Sequence, residues 1–192
     1  EFALEEKEEK AGFILACRAV PWSNCEIKIV ADELIDDLEN NKIKNIDYEV
    51  KYLRKVSKDI YAITLQKSSN EEFKFKAGQY AELYFNNCKE KHFSMASSPN
   101  TDELEFHLKI LDGGEISNYV QNNLKIGDNI KIKGPYGNAY LRDNHKGPII
   151  AVAGGTGLAP ILSIIKSSQE KGMRQPIKIY YGAQSESDLY FR

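Results

Sequence analysis

Residues 148–181 constrain the fold more than any other stretch of this chain. Residues 149–153 form an unbroken apolar run of strand length, and Gly154-Gly155-Thr156-Gly157 follows at once. A helical pattern then runs from about residue 159 to 171, with Pro160 suited to its first turn and Gly172 to its stop. Residues 177–181 are a second apolar run. Strand, glycine turn, helix and strand in this order make a parallel pair joined by a crossover helix. A strand that is apolar throughout is expected to be covered on both faces.

Residues 46–142 have a different rhythm. Strand patterns fall at 48–56, 60–66, 79–85, 92–95, 104–110 and 129–133. The fifth alternates: Leu104, Phe106, Leu108 and Ile110 face one way, Glu105, His107 and Lys109 the other. Six strands separated by turn residues predict a small antiparallel barrel. Ile116, Tyr119, Val120 and Leu124 mark a short helix between the fifth and sixth strands. Gly134-Pro135-Tyr136-Gly137 reads as a tight turn ending the sixth. Ahead of the barrel, residues 1–30 hold a charged helical run and two short strand patterns, 13–17 and 25–30. Residues 31–45, rich in Asp, Asn and Lys, read as a linker in which Leu34, Ile35 and Leu38 allow at most one amphipathic turn.

Several function classes are disfavoured. The net charge is −2 with no Lys/Arg cluster, unlike a nucleic-acid-binding footprint. The longest apolar run is strand-sized and the start carries no signal-peptide pattern, so no membrane role is expected. Cys17, Cys25 and Cys88 form no disulfide framework, which fits a reducing cytoplasm. There is no Cys-x-x-Cys or His-x-x-x-His pair for zinc and no G-x-S-x-G elbow for a serine nucleophile. At 192 residues the chain can form one large or two small domains. Met95 and Met173 are both internal and the α/β pattern is still open at Arg192, so the chain reads as part of a longer protein.

Three stretches could carry chemistry. Lys91-His92-Phe93-Ser94-Met95-Ala96-Ser97-Ser98-Pro99 places a cation, an aromatic ring, a hydroxyl and small residues together. A flavin uses all four: charge for its pyrophosphate, a flat partner for its ring, a donor near N5, and room for close backbone approach. Gly113-Gly114-Glu115-Ile116-Ser117 lies where the fifth strand ends and the short helix begins. Free N–H groups there can bind phosphate with a Ser hydroxyl beside them, although a plain glycine turn would read the same. Gly154-Gly155-Thr156-Gly157 lies where a dinucleotide pyrophosphate sits in a doubly wound sheet, though its spacing is not G-x-G-x-x-G. Taken singly, Lys91 reads as a solvated lysine, His107 and Lys109 as exposed polar-face residues, and Cys88 as an exposed thiol. His145 has no expected role.

In order, these motifs resemble the ferredoxin–NADP⁺ reductase superfamily, nearest to the oxygenase-reductase and CDP-6-deoxyglucoseen-reductase type, over residues 48–192. The resemblance implies a six-stranded antiparallel Greek-key flavin-binding barrel at 46–146 and a truncated Rossmann-like NAD(P)-binding domain at 147–192. It also implies that residues 1–30 are the tail of a plant-type ferredoxin domain, joined through the linker at 31–45. The family's Arg-x-Tyr-Ser matches Lys91-His92-Phe93-Ser94. By that match Phe93 stacks on the flavin, Ser94 lies near N5 as the catalytic-site hydroxyl, and Lys91 faces the pyrophosphate beside His92. His107 to Lys109 match the strand lining the flavin. Gly114, Ile116 and Ser117 belong to the pyrophosphate-binding Gly-x-x-Ser, and Gly154, Gly155, Thr156, Gly157 and Pro160 to the NAD(P) loop. Gly134 to Gly137 match the turn closing the barrel. Tyr181-Gly182-Ala183-Gln184 and Asp188-Leu189-Tyr190-Phe191 match the family's Gly-Ala-Arg…Asp-Leu-Tyr stretch.

The chain departs from the family pattern in three places. Lys91 stands for arginine and loses the bidentate fork, Phe93 stands for tyrosine and drops a hydroxyl, and Gln184 stands for a frequent arginine. Residues 12–19 resemble the end of a [2Fe–2S] ferredoxin domain, with Cys17 as fourth ligand and the C-x4-C-x2-C loop not in this chain. The resemblance implies an NAD(P)H-dependent FAD reductase serving a [2Fe–2S] centre in the intact protein and an oxygenase or deoxysugar-dehydratase partner. NADH is favoured because Glu186 and Asp188, near the expected ribose, would repel a 2′-phosphate. Two alternatives stand beside this: a free-flavin reductase without a metal centre, and a non-catalytic flavin-binding electron-transfer subunit.

Overall fold

The computed structural model describes residues 43–86 and 88–191, together with Lys7, Lys10 and Ala11. Cys17, Cys25 and the readings made for residues 12–42 lie outside the described residues.

Six strands form one antiparallel sheet: β1 Lys44–Lys55, β2 Ile60–Lys67, β3 Tyr80–Tyr84, β4 Lys91–Ser94, β5 Glu103–Lys109 and β6 Asn129–Tyr136. Their order is β4-β3-β6-β1-β2-β5, and a bridge between Met95 and Phe106 nearly closes the sheet into a barrel. β1 makes the curvature possible. Its first half pairs with β6 and its second with β2, with a bulge between Val50 and Tyr52 where it bends from one neighbour to the other. β1 begins two positions inside the expected linker, because Lys44 and Asn45 pair with Gly134 and Lys133. Both are exposed, so no hydrophobic pattern marks them. β6 likewise runs on through Gly134-Pro135-Tyr136, which had read as its turn. Gly134 lets it pass β3 closely: a Cβ there would lie 3.2 Å from that of Ala81.

Period-2 alternation fills the barrel. Val50, Ile63, Leu65, Leu83, Phe106 and Ile132 have no solvent exposure. α1, Glu115–Asn122, closes one end of the barrel, with Ile116, Val120 and the following Leu124 packed into the same core.

The second region is a βαβ unit: β7 Ile149–Gly154, a short 3-10 turn Gly155–Gly157, α2 Leu158–Glu170, and β8 Ile177–Gly182. β7 and β8 pair in parallel from Ile149↔Ile177 to Gly154↔Gly182. Ala153 packs with Leu158 and Leu162 in a small second core. Only this side of β7 is covered. Ile150 and Val152 are 67% and 75% exposed, contrary to the expectation of two buried faces. An apolar run records what a strand can tolerate on each side, while covering both sides needs a second layer over the other face.

Candidate functional site

β4 is an edge strand that pairs only with β3 until the Met95–Phe106 bridge. Its side chains alternate. Lys91 and Phe93 stand opposite Leu83 and Ala81, while His92 and Ser94 stand opposite Glu82 and Tyr80. Phe93 is half-buried, edge-on to Phe85 at 6.4 Å, and Phe85 in turn lies 6.1 Å from Tyr119 of α1. This aromatic chain brings β4 and α1 to the same end of the barrel. Lys91 is exposed and without an ion pair among the described residues, and the Ser94 hydroxyl likewise has no hydrogen bond there.

His92 faces outward among the rings of Tyr80 and Tyr136, at 5.1 and 6.1 Å, with its Nε2 3.3 Å from Glu82. The Tyr84 hydroxyl, His92 and Lys133 hold the Glu82 carboxylate well below the usual range, at about 2. Cys88, read as an exposed thiol, is instead half-buried against the barrel core, and burial pushes its thiol up.

The start of α1 offers a cluster of hydrogen-bond donors. Gly114 is its N-cap and contributes no side-chain cap. The first helical hydrogen bond runs from Asn118 to Gly114, so the N–H groups of Glu115, Ile116 and Ser117 have no partner within the helix. The Ser117 hydroxyl accepts from the Leu111 N–H at 2.9 Å, which leaves its own proton to donate. A Cβ on Gly114 would lie 2.9 Å from Ser117 Oγ and 3.1 Å from the Leu111 carbonyl, so only glycine fits. This donor set, with the exposed ammonium of Lys91 on the same barrel end, fits a pyrophosphate.

The glycine loop after β7 is open. Gly155 has φ +52°, and neither it nor Gly157 would meet any atom within 4 Å of an added Cβ. Thr156 is half-exposed between them, and Pro160 lies in the first turn of α2. Backbone N–H groups can approach a dinucleotide here without side-chain obstruction.

β5 differs from expectation. Lys109 is exposed and 3.6 Å from Asp59, as its polar-face position suggests. His107 is only 6% exposed, with Nε2 3.1 Å from Glu105 and Nδ1 2.9 Å from the Tyr190 hydroxyl. The polar face of β5 is buried there because the segment after β8 covers it.

Asp188 is also engaged. It lies 3.1 Å from Lys58 and accepts from the Ser185 N–H and hydroxyl, and these bonds lower its pKa.

No sequence motif marks the face of α2 that meets the barrel. Ser163, Lys166 and Glu170 contact residues 96–100 directly after Ser94. The sequence signal is instead a polar stripe at helical spacing inside an otherwise apolar helix. A polar cavity of about 250 Å³, lined by Ser97, Ser98, Glu105 and Lys166 among others, lies along this contact. A larger cavity, about 680 Å³, lies between residues 143–146 and 171–175 and includes neither glycine loop.

Comparison with known proteins matches these regions to two families. Residues 47–140 match the oxidoreductase FAD-binding domain and residues 151–192 the oxidoreductase NAD-binding domain. The reductase component of propane 2-monooxygenase from Gordonia sp. (strain TY-5) is 36% identical over 98% of this chain and 55% of its own length. The ferredoxin–NAD(P)⁺ reductase component of the naphthalene 1,2-dioxygenase/salicylate 5-hydroxylase systems of Ralstonia sp. is 38% identical over 94% of this chain and 54% of its own. The chain therefore spans about half the length of these curated relatives. Among solved structures, the Amycolatopsis cytochrome P450 reductase GcoB superposes with a TM-score of 0.72 at 25% identity, over 97% of this chain and 56% of that one. With unpaired N–H groups at the helix start on the barrel and an open glycine loop in the βαβ unit, this chain combines an FAD-binding and an NAD-binding oxidoreductase region and is similar to ferredoxin–NAD(P)⁺ reductase components.

Proposed function

We propose that this chain is the flavin- and nicotinamide-handling part of an NAD(P)H-dependent reductase that supplies electrons to an oxygenase or dehydratase component. The observation that carries the reading is the pair of phosphate-type sites, the start of α1 on the barrel and the open glycine loop after β7. Lys91 and the N–H groups at the start of α1 would hold the FAD pyrophosphate. Phe93 would offer its ring to the isoalloxazine, and the unpartnered Ser94 hydroxyl a donor near N5. Residues 154–157 and Pro160 would hold the dinucleotide. FAD, when bound, supplies the two-electron to one-electron conversion that such a reductase needs. The residues supply alignment, and none is required to act as acid or base. His107, with both nitrogens engaged, acts from behind β5, and Lys109 is the side chain of that strand left toward solvent.

NADH is favoured over NADPH because the carboxylates of Glu186 and Asp188 would oppose a 2′-phosphate; Glu186 is exposed, and Asp188 is paired with Lys58. By resemblance, Cys17 would ligate a [2Fe–2S] cluster in the intact protein. Among the described residues there is no cluster of three or more His, Cys, Asp or Glu side chains placed to hold a metal ion. No helix among the described residues is long and apolar enough to cross a membrane; the cytoplasmic setting is proposed on the cysteine usage.

The test uses the purified full-length protein. Stoichiometric FAD in its visible spectrum and NADH-to-ferricyanide turnover are expected. Tight flavin without turnover would leave the non-catalytic subunit reading. FAD lost on gel filtration, with no iron present, would favour a free-flavin reductase.

A further inference from the structure

The face that α2 turns toward the barrel is built from polar groups. Ser163, Lys166, Ser167 and Glu170 recur at helical spacing, and Ser163 and Ser167 are at most 1% exposed. The Ser163 hydroxyl donates to the Ser97 carbonyl at 2.7 Å. The Lys166 ammonium donates to the Ala96 carbonyl at 2.9 Å and lies 3.5 Å from Glu105. Glu170 accepts from the Ser98 hydroxyl and from the Asn100 amide. From Glu105 the chain of contacts continues through His107 to the Tyr190 hydroxyl.

The helix leaving the glycine loop and the segment after β8 are thus both tied to β5, and the helix also to the residues directly after Ser94. An apolar contact tolerates sliding, because area burial has no direction. Hydrogen-bonded and ionic contacts hold only in one register, and their net contribution to stability is small. The composition of this contact therefore suits positioning more than adhesion.

We propose that Lys166, Glu105 and His107 are positioning residues that fix the glycine loop of residues 154–157 relative to Ser94, and so set the alignment of nicotinamide with flavin N5. This rests on the reductase reading above. Lys166 is the pivot, since it alone joins α2 to both β5 and the residues following β4.

The test compares Lys166→Met and Lys166→Arg with the unsubstituted full-length protein. It measures FAD content, amide hydrogen exchange, and anaerobic flavin reduction at varied NADH. Lys166→Met is expected to keep its FAD and to exchange faster at residues 96–100 and 158–166, with the barrel strands unchanged. Its flavin is expected to be reduced roughly ten-fold more slowly at saturating NADH, with half-saturation within about two-fold, as a loss of alignment requires. Lys166→Arg, which keeps the charge and the donor, is expected to recover most of the rate.

Unchanged exchange and an unchanged reduction rate in Lys166→Met overturn the proposal. So does faster exchange across the whole barrel with loss of FAD, which would mark Lys166 as merely structural. If the unsubstituted protein binds FAD but neither NADH nor NADPH reduces it, the reductase reading fails, and the exchange comparison still decides whether Lys166 holds the loop.

Discussion

At the scale of single residues, charge placement decides most of what this site can do. Lys91 is exposed, unpaired among the described residues, and on the barrel end where α1 presents free N–H groups. Lys91→Ala is expected to weaken FAD binding by roughly ten-fold, as loss of one charge-assisted contact does, while Lys91→Arg retains or tightens it. Flavin titration by fluorescence quenching measures both, and equal affinity in all three proteins would remove Lys91 from the site. Glu105 is the opposite case, a half-buried carboxylate with its charge fully used. The hydrogen bond from His107 lowers its pKa from 4.5 to about 2; burial opposes this, and the nearby Lys166 charge assists it. The unfolded chain then takes up this proton before the folded one does. The stabilisation is complete above about pH 4.5 and is lost as the pH falls toward 2. Acid-unfolding curves of Glu105→Gln should therefore converge on those of the unsubstituted protein below this window and diverge above it. Parallel curves throughout would refute the assignment.

Among the elements, α2 and β4 show how local patterns can be correctly identified yet incompletely interpreted. The short run after Ser94 reads as small residues that let backbone approach a flavin ring. Ala96, Ser97 and Ser98 are instead buried, and two of them meet α2 through a carbonyl while Ser98 meets it through its hydroxyl. Their small size serves helix docking. Ser163→Ala leaves the Ser97 carbonyl without its donor in a site with no solvent exposure. The expected cost is about 1 kcal/mol in denaturant melts, with FAD content unchanged. A stability equal to the unsubstituted protein would mean that water or a shifted helix replaces the bond. β7 illustrates the reverse. Its periodicity shows an apolar strand, and the strand forms as expected, but Ile150 and Val152 remain exposed because no described element lies over that face.

Among the described residues, two phosphate-type loops lie on separate architectures, tied together by polar contacts from α2, Asp188 and Tyr190. Cofactor choice belongs to this scale, because Asp188 belongs to the βαβ unit and its partner Lys58 to the turn between β1 and β2. NADH is expected to exceed NADPH in kcat/KM by roughly ten-fold, the size of effect that carboxylates facing a 2′-phosphate supply. Glu186→Gln should narrow the ratio more than Asp188→Asn does, because Glu186 is exposed whereas Asp188 is half-buried and paired with Lys58. An equal response in both variants would show that the Lys58 pairing does not shield Asp188. By itself the sequence determined the six strands, the alternation of the fifth, the short helix, the βαβ unit, and the order and local setting of both glycine loops. Each of these depends on neighbours within a turn or a strand, where side-chain period and glycine conformation act directly. Only the tertiary structure decided that His107 is buried, that Asp188 is spoken for, and that residues 96–98 receive a helix. Those outcomes depend on partners such as Ser97 and Ser163, 66 positions apart, or His107 and Tyr190, 83 apart. A polar face on a helix or a strand looks solvated until the surface that covers it is in place.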